Sequence, residues 1–382
     1  MAVALGLAVG VQLPALLAIA RLSGHAWVSL IAAALTVVPS LKIIRNPWEQ
    51  RHASRWHLNL VMWPFFAWWT ICAIFLLLAP LALLAAATTR LGLDRGLVLA
   101  GGLATLLGLR ALSRRPWICR QTVAIAGLPS VFAGYTIAQI SDLHCGPFTP
   151  ASRIDRWVRK VNSLGADLVA VTGDLITSGA EYVTTVAAGL GQLRAPDGAV
   201  ACMGNHDYFT DGDAFAHELE RHGLRLLRNR GHLIERPGGR LYVAGVDDTW
   251  TQRDDLERAL RGRPPGAPTV LLAHDPALFP AAAAHGVALT LSGHTHGGQL
   301  AAPVAPKRWN LARFVTPFTA GAYRIGDAAL YVNRGLGTTG PPIRLGVRPE
   351  ITLFTLVPAR EAFGERLSHL AEDIIRDASE AR

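Results

Sequence analysis

Residues 291–299 read Leu291-Ser292-Gly293-His294-Thr295-His296-Gly297-Gly298-Gln299, and the run before them explains why they matter. Residues 286–291 are short, apolar and opened by a glycine, the pattern of a buried strand. The imidazoles of His294 and His296 therefore leave a strand end on a glycine-bracketed turn. Histidines two apart in such a turn are either packed core and turn residues or ligands to a metal ion. The other polar clusters of the chain decide between these.

From residue 121 onward, short apolar runs alternate with helical patterns. Strands are expected at 135–140, 168–171, 199–203, 240–246, 269–273, 287–291 and 330–333. Between them, residues 150–164 place Ile154, Trp157, Val158 and Val161 on one helical face, and 179–193 and 212–222 read as further helices. The alternation predicts an α/β domain with at least part of its sheet parallel. Five of the strands end in groups of ligand type: Asp142 and His144, Asp174, then Asn205, His206 and Asp207, then His274, and finally His294 and His296. Carboxyl ends of parallel strands share one edge, so residues far apart in sequence are expected to meet there. So many buried polar groups at one edge would be costly without metal.

The blocks D-x-H, G-D, G-N-H-D, a strand-terminal His and G-H-T-H, in that order, resemble the calcineurin-like metallophosphoesterase superfamily. The longer phrases S-D-L-H, T-G-D-L, G-N-H-D-Y and L-S-G-H-T-H-G-G-Q, with the ending G-L-G-T-T-G-P-P-I-R and R-P-E-I, are similar to a subgroup of bacterial membrane-associated phosphodiesterases, over residues 121–356. The resemblance implies a layered sheet domain with flanking helices and a two-metal site bridged by Asp174. One ion would take Asp142, His144, Asp174 and His296; the other would take Asp174, Asn205, His274 and His294. Such mixed oxygen and nitrogen ligands suit Mn, Fe or Zn with open positions. Hydrolysis of a phosphodiester or diphosphate by a metal-bridging hydroxide is the implied reaction, with His206 as general acid. Asp207 either orients the His206 ring or caps the following helix. Arg334 and Arg344, with Arg348, either meet a substrate phosphate or are surface residues.

The charge is uneven. Of the net charge of +9, the first 120 residues hold all, with eleven Lys or Arg against two acidic residues, while the remainder carries 26 of each sign. The basic residues lie in short clusters between long apolar runs, which fits membrane topology and argues against a nucleic-acid partner. An all-α membrane region is expected over 1–115, with spans at 2–20, 26–41, 58–87 and 96–112, a metallophosphoesterase domain over 116–360, and an amphipathic helix over 361–382 that lies on a membrane or packs on the domain. Four spans put eight basic residues on one side against three on the other, placing the C-terminal domain in the cytoplasm at a bacterial inner membrane; three spans would reverse this. Four cysteines without a C-x-x-C pair predict neither a disulfide framework nor a zinc knuckle.

A membrane anchor on a phosphoesterase is useful when the substrate is itself lipid-linked, because both partners are then confined to one surface. Among membrane-associated enzymes of similar look are those that cleave UDP-2,3-diacylglucosamine in lipid A synthesis, and this is the leading substrate. The alternatives are a broad phosphodiesterase or phosphatase on soluble or envelope phosphoesters, and a membrane sensor that binds without turnover.

Overall fold

The computed structural model describes residues 10–45, 54–112, 115–301 and 309–359, so the expected helix over 361–382 lies outside the described residues. The chain forms two compact units, one of residues 1–114 with 300–304 and 338–346, the other of residues 115–299, 305–337 and 347–382.

The first unit contains α1 (Leu13–Ser23), α2 (Ala26–Arg45), α3 (Trp63–Thr88) and α4 (Leu93–Ala111). α1 stops at Gly24, whose φ of 71° and N–H bond to the Arg21 carbonyl make a left-handed cap. A helical turn at Arg55–His57 and a π-turn at Leu58–Met62 run directly into α3. The resulting helix, Arg55–Thr88, is the one among the described residues that is long and apolar enough to cross a membrane. The apolar stretches Leu13–Ser23 and Ala26–Thr36 are shorter, and α4 carries Asp94, Arg95 and Arg110. α3 and α4 pack antiparallel on small residues: a Cβ at Gly96 would lie 3.1 Å from the Ala82 carbonyl oxygen, and one at Gly108 2.6 Å from Ile71 Cγ1.

The second unit is the α/β domain. Its strands are β1 (Trp117–Ile125), β2 (Thr136–Ile140), β3 (Leu168–Thr172), β4 (Ala199–Cys202), β5 (Arg225–Leu226), β6 (Arg230–Arg236), β7 (Gly239–Gly245), β8 (Thr269–Leu272), β9 (Leu289–Ser292), β10 (Gly321–Ile325), β11 (Ala328–Val332) and β12 (Glu350–Pro358). They form two six-stranded sheets, ordered β1-β12-β2-β3-β4-β5 and β10-β11-β9-β8-β7-β6. Within the first, β2 to β5 are parallel; within the second, β7, β8, β9 and β11 are parallel.

Alternation along the strands sorts side chains into two apolar layers. Leu168 and Ala170 of β3 join Ile137, Val200, Leu241, Val270, Leu289 and Leu291 between the sheets. Val169 and Val171 face outward instead, under α5 (Ala151–Asn162), α6 (Val183–Leu190) and α7 (Gly212–Arg221). Ile154, Trp157, Val158 and Val161 of α5 are buried there, the face its spacing predicts. On the far side of the second sheet, α8 (Leu256–Leu260) packs Leu256, Ala259 and Leu260 onto Ala244 and Leu271, and α9 (Phe279–Ala284) adds Ala282. All four cysteines are buried and free.

The expected ligand clusters therefore come from two sheets, not one edge. Asp142, Asp174 and Asn205 follow β2, β3 and β4; His274, His294 and His296 follow β8 and β9. Gln139 ties the sheets at that end, its Nε2 donating to Thr172 Oγ1 and to the Ser292 carbonyl, both at 2.9 Å.

Candidate metal centre

At the strand ends the backbone turns sharply. Asp142, His144, Asp174, His294 and His296 all have left-handed φ, at 50°, 46°, 53°, 70° and 52°. Such conformations cost on the order of 1 kcal/mol or more per non-glycine residue and persist where surrounding structure imposes them, as at functional sites. Close packing imposes them here. A Cβ at Gly293 would fall 2.3 Å from Asp142 Oδ2, and one at Gly204 would fall 2.4 Å from Asp174 Oδ1, so only glycine lets these turns close on the carboxylates.

Two groups of side chains result. Asp142, His144, Asp174 and His296 bring one ligand atom each within 4.8 Å of one another, and so do Asp174, His274 and His294. His144 Nε2 and His296 Nε2 are 2.9 Å apart, and His296 Nε2 is 3.4 Å from Asp142 Oδ1. In the other group, His294 Nδ1 lies 3.2 Å from His274 Nε2. Asp174 belongs to both, with Oδ2 at 3.6 Å from His144 Nε2 and 3.2 Å from His274 Nε2.

Second contacts hold these groups in place. The Thr172 carbonyl accepts from His274 Nδ1 at 2.7 Å, which leaves Nε2 as the ligating atom. His206 donates its backbone N–H to Asp174 Oδ1 at 2.9 Å and its ring Nδ1 proton to the Thr177 carbonyl at 2.8 Å. Its ring stands edge-on to that of His144, with centroids 4.7 Å apart. Neither Thr172 nor Thr177 was identifiable from motif spacing, because each acts through a carbonyl that every residue possesses.

The electrostatics fit a cation. Burial alone would raise the Asp174 carboxyl, but the neighbouring charges of His274, His144 and His206 hold it well below the usual range. Burial opposes the charged form of His274, yet Asp174 and Asp142 raise it to about 10. His294 is lowered by burial and by the charge of His274. Asn205 Oδ1 is buried and has no hydrogen-bond partner among the described residues, an orphan of the kind a metal satisfies. Oxygen and nitrogen donors from Asp, Asn and His are the chemistry of divalent transition-metal sites, so the residues present fit such ions.

Other expected site residues sit differently. Asp207 neither orients the His206 ring nor caps the next helix: its carboxylate accepts from the backbone N–H groups of Leu175 (2.8 Å), Ile176 (3.2 Å) and Gly204 (2.9 Å), binding the Asp174 turn to the Asn205 turn. The α7 cap is Asp211. Burial, with the charge of Asp174, pushes the Asp207 carboxyl up to about 7. The Arg334 guanidinium pairs with buried Glu350, and an added Cβ at Gly297, in the His296 turn, would meet its stem at 3.4 Å. Arg344 belongs to the helical unit, where its N–H donates to the Ala111 carbonyl at 2.8 Å.

The calcineurin-like phosphoesterase family model matches residues 135–298, the span from β2 through both ligand groups. The metallophosphoesterase YkuE of Bacillus subtilis, itself named as uncharacterized, is 32% identical over 244 residues, covering 62% of this chain and 83% of that protein. The chain belongs to the calcineurin-like metallophosphoesterases. It is also similar to a bovine protein named "transmembrane protein with metallophosphoesterase domain", 35% identical over 273 residues, and to its zebrafish counterpart, 33% identical over 266. Those matches cover 67% and 66% of this metallophosphoesterase and 60% of each relative.

Proposed function

We infer that this metallophosphoesterase is a membrane-anchored hydrolase of phosphodiester or diphosphate bonds that uses two divalent ions. The observation that carries the reading is Asp174, whose Oδ2 lies within 3.6 Å of His144 and 3.2 Å of His274, the ring nitrogens of two separate ligand groups. Asp142, His144, Asp174 and His296 would hold one ion, and Asp174, Asn205, His274 and His294 the other, with Mn, Fe and Zn as the metals suited to this set. Ions held there would supply Lewis acidity toward phosphoryl oxygens and would lower the pKa of a bound water.

The chain's own residues divide the remaining work. Asp174 carries a negative charge between the two groups, the requirement for a shared ligand. His206, its Nδ1 engaged by Thr177, has Nε2 to give a proton to the leaving oxygen. Asp207 positions the turns that bear Asp174 and Asn205.

The long apolar helix Arg55–Thr88 and the names of the bovine and zebrafish relatives support a membrane setting. Within it we favour several spans, a cytoplasmic catalytic domain and a lipid-linked substrate, because confinement to one surface concentrates enzyme and substrate together. UDP-2,3-diacylglucosamine is the leading candidate. The test is UMP release by detergent-solubilised protein with Mn²⁺, beside a soluble aryl phosphodiester and a His206→Ala variant. UMP release that exceeds aryl ester cleavage and falls in the variant is the expected result. Aryl ester cleavage alone removes the lipid substrate, and no turnover with Mn²⁺, Fe²⁺ or Zn²⁺ removes the hydrolase.

A further inference from the structure

Two large exposed aromatic side chains stand against histidines of the site. Phe209 is 59% exposed, with its ring 4.6 Å from that of His206; Trp250 is 60% exposed, with its indole 5.2 Å from the ring of His294. Each ring keeps exposed apolar area beside the histidines, so a ligand held at the site that covers one gains part of a full burial's about 1.5–3 kcal/mol.

Both are held on braced turns. Phe209 closes the Asn205–Tyr208 turn, its N–H bonded to the His206 carbonyl at 3.1 Å. Trp250 sits in a loop pinned by the buried Asp248, which accepts from the Thr251 N–H at 2.8 Å through Oδ2 and from the Arg253 N–H at 3.0 Å through its carbonyl. The two loops are tied to each other by the Tyr208 hydroxyl, which donates to Asp247, and by Arg253, whose guanidinium carbon lies 4.8 Å from the centre of the Tyr208 ring. Preorganised aromatic walls lose little entropy on binding.

We propose that Phe209 and Trp250 are specificity-determining walls that take a planar ring, nucleobase or aryl, carried by the phosphoester bound at the metal centre. The inference rests on the hydrolase reading above and narrows its substrate class. A flat ring stacks on an exposed aromatic face, whereas an alkyl or polyol group gains much less from it. The phosphate is held by the metal centre and the ring by the rim, so the two contributions separate.

Equilibrium titration of the Mn²⁺-loaded full chain with UMP, phenyl phosphate and glycerol 3-phosphate tests this, with turnover of bis(4-nitrophenyl) phosphate measured on the same preparation. UMP or phenyl phosphate should bind at least about tenfold more tightly than glycerol 3-phosphate, and Trp250→Ala or Phe209→Ala should remove about tenfold of that preference, the order of one base-aromatic stack. Trp250→Phe should restore most of it, and glycerol 3-phosphate affinity should not change. Preference for UMP over phenyl phosphate marks a nucleobase; equal affinity marks any aryl ring. Equal affinity for all three ligands, or equal weakening of all three in the variants, overturns the proposal while turnover persists. Loss of both binding and turnover in the parent protein overturns the hydrolase reading with it.

Discussion

The His294 N–H donates to both carboxylate oxygens of Asp142, at 3.0 and 3.2 Å. A turn of the second sheet is thus held by a carboxylate of the first, and each residue falls in a different ligand group. Removing Asp142 should disturb both groups. Asp142→Ala is expected to lose close to two metal ions per chain by elemental analysis, and Asp142→Asn, which keeps an acceptor for His294, close to one. Equal loss in the two variants would show that the cross-sheet bond does not matter to metal retention.

Asp174→Asn should abolish turnover of an aryl phosphodiester. The amide presents one neutral oxygen where both ligand groups face a carboxylate, and its N–H₂ end faces either a histidine ring or the His206 N–H. Metal content should fall in parallel. Activity above about one per cent of the parent would remove the shared-ligand assignment, since losing it is expected to cost more than the hundredfold typical of one missing polar contact.

Much of this site was legible because its parts are local. Asp142, His144, Asp174, Asn205, His274, His294 and His296 each follow a short apolar run, and each run is a strand within a residue or two of the predicted bounds. Sheet membership was not legible, because alternation specifies a strand's faces and not its partners. β12 lies between β1 and β2, paired parallel to one and antiparallel to the other, across more than 200 residues of sequence. β1, which follows the basic residues Arg114 and Arg115, was not among the expected strands. Asp207 misled for a local reason: in a 3-10 turn its side chain points away from that of its neighbour, toward the backbone of Leu175 and Gly204. The exposure of Phe209 and Trp250 was not legible, because both lie in turns where no periodicity separates an exposed aromatic from a buried one.

His206→Ala should leave metal content unchanged, because none of its ring atoms belongs to either ligand group. Turnover should fall about 10²- to 10⁴-fold on an alkyl or diphosphate leaving group and much less on 4-nitrophenolate, which leaves without a proton. A drop of the same size on both leaving groups would assign His206 to phosphate binding instead of proton donation.

Gly204→Ala tests the packing that closes the Asp174 turn. Gly204 has φ −113° and ψ 176°, extended backbone open to any residue, so alanine adds no conformational strain there. The added methyl would instead lie 2.4 Å from Asp174 Oδ1 and 2.6 Å from the Asp174 backbone nitrogen. The side chain can rotate away only by leaving its place between His144 and His274, and the backbone is held by the Asp207 carboxylate. Overpacking of this kind costs about 1–3 kcal/mol. The variant should therefore melt at a lower temperature and bind metal more weakly, and excess Mn²⁺ should recover part of both losses by mass action. A variant that melts lower yet binds metal as the parent does would mean that Asp174 shifts as a rigid unit with its ligand neighbours, and that the turn has more freedom than these contacts allow.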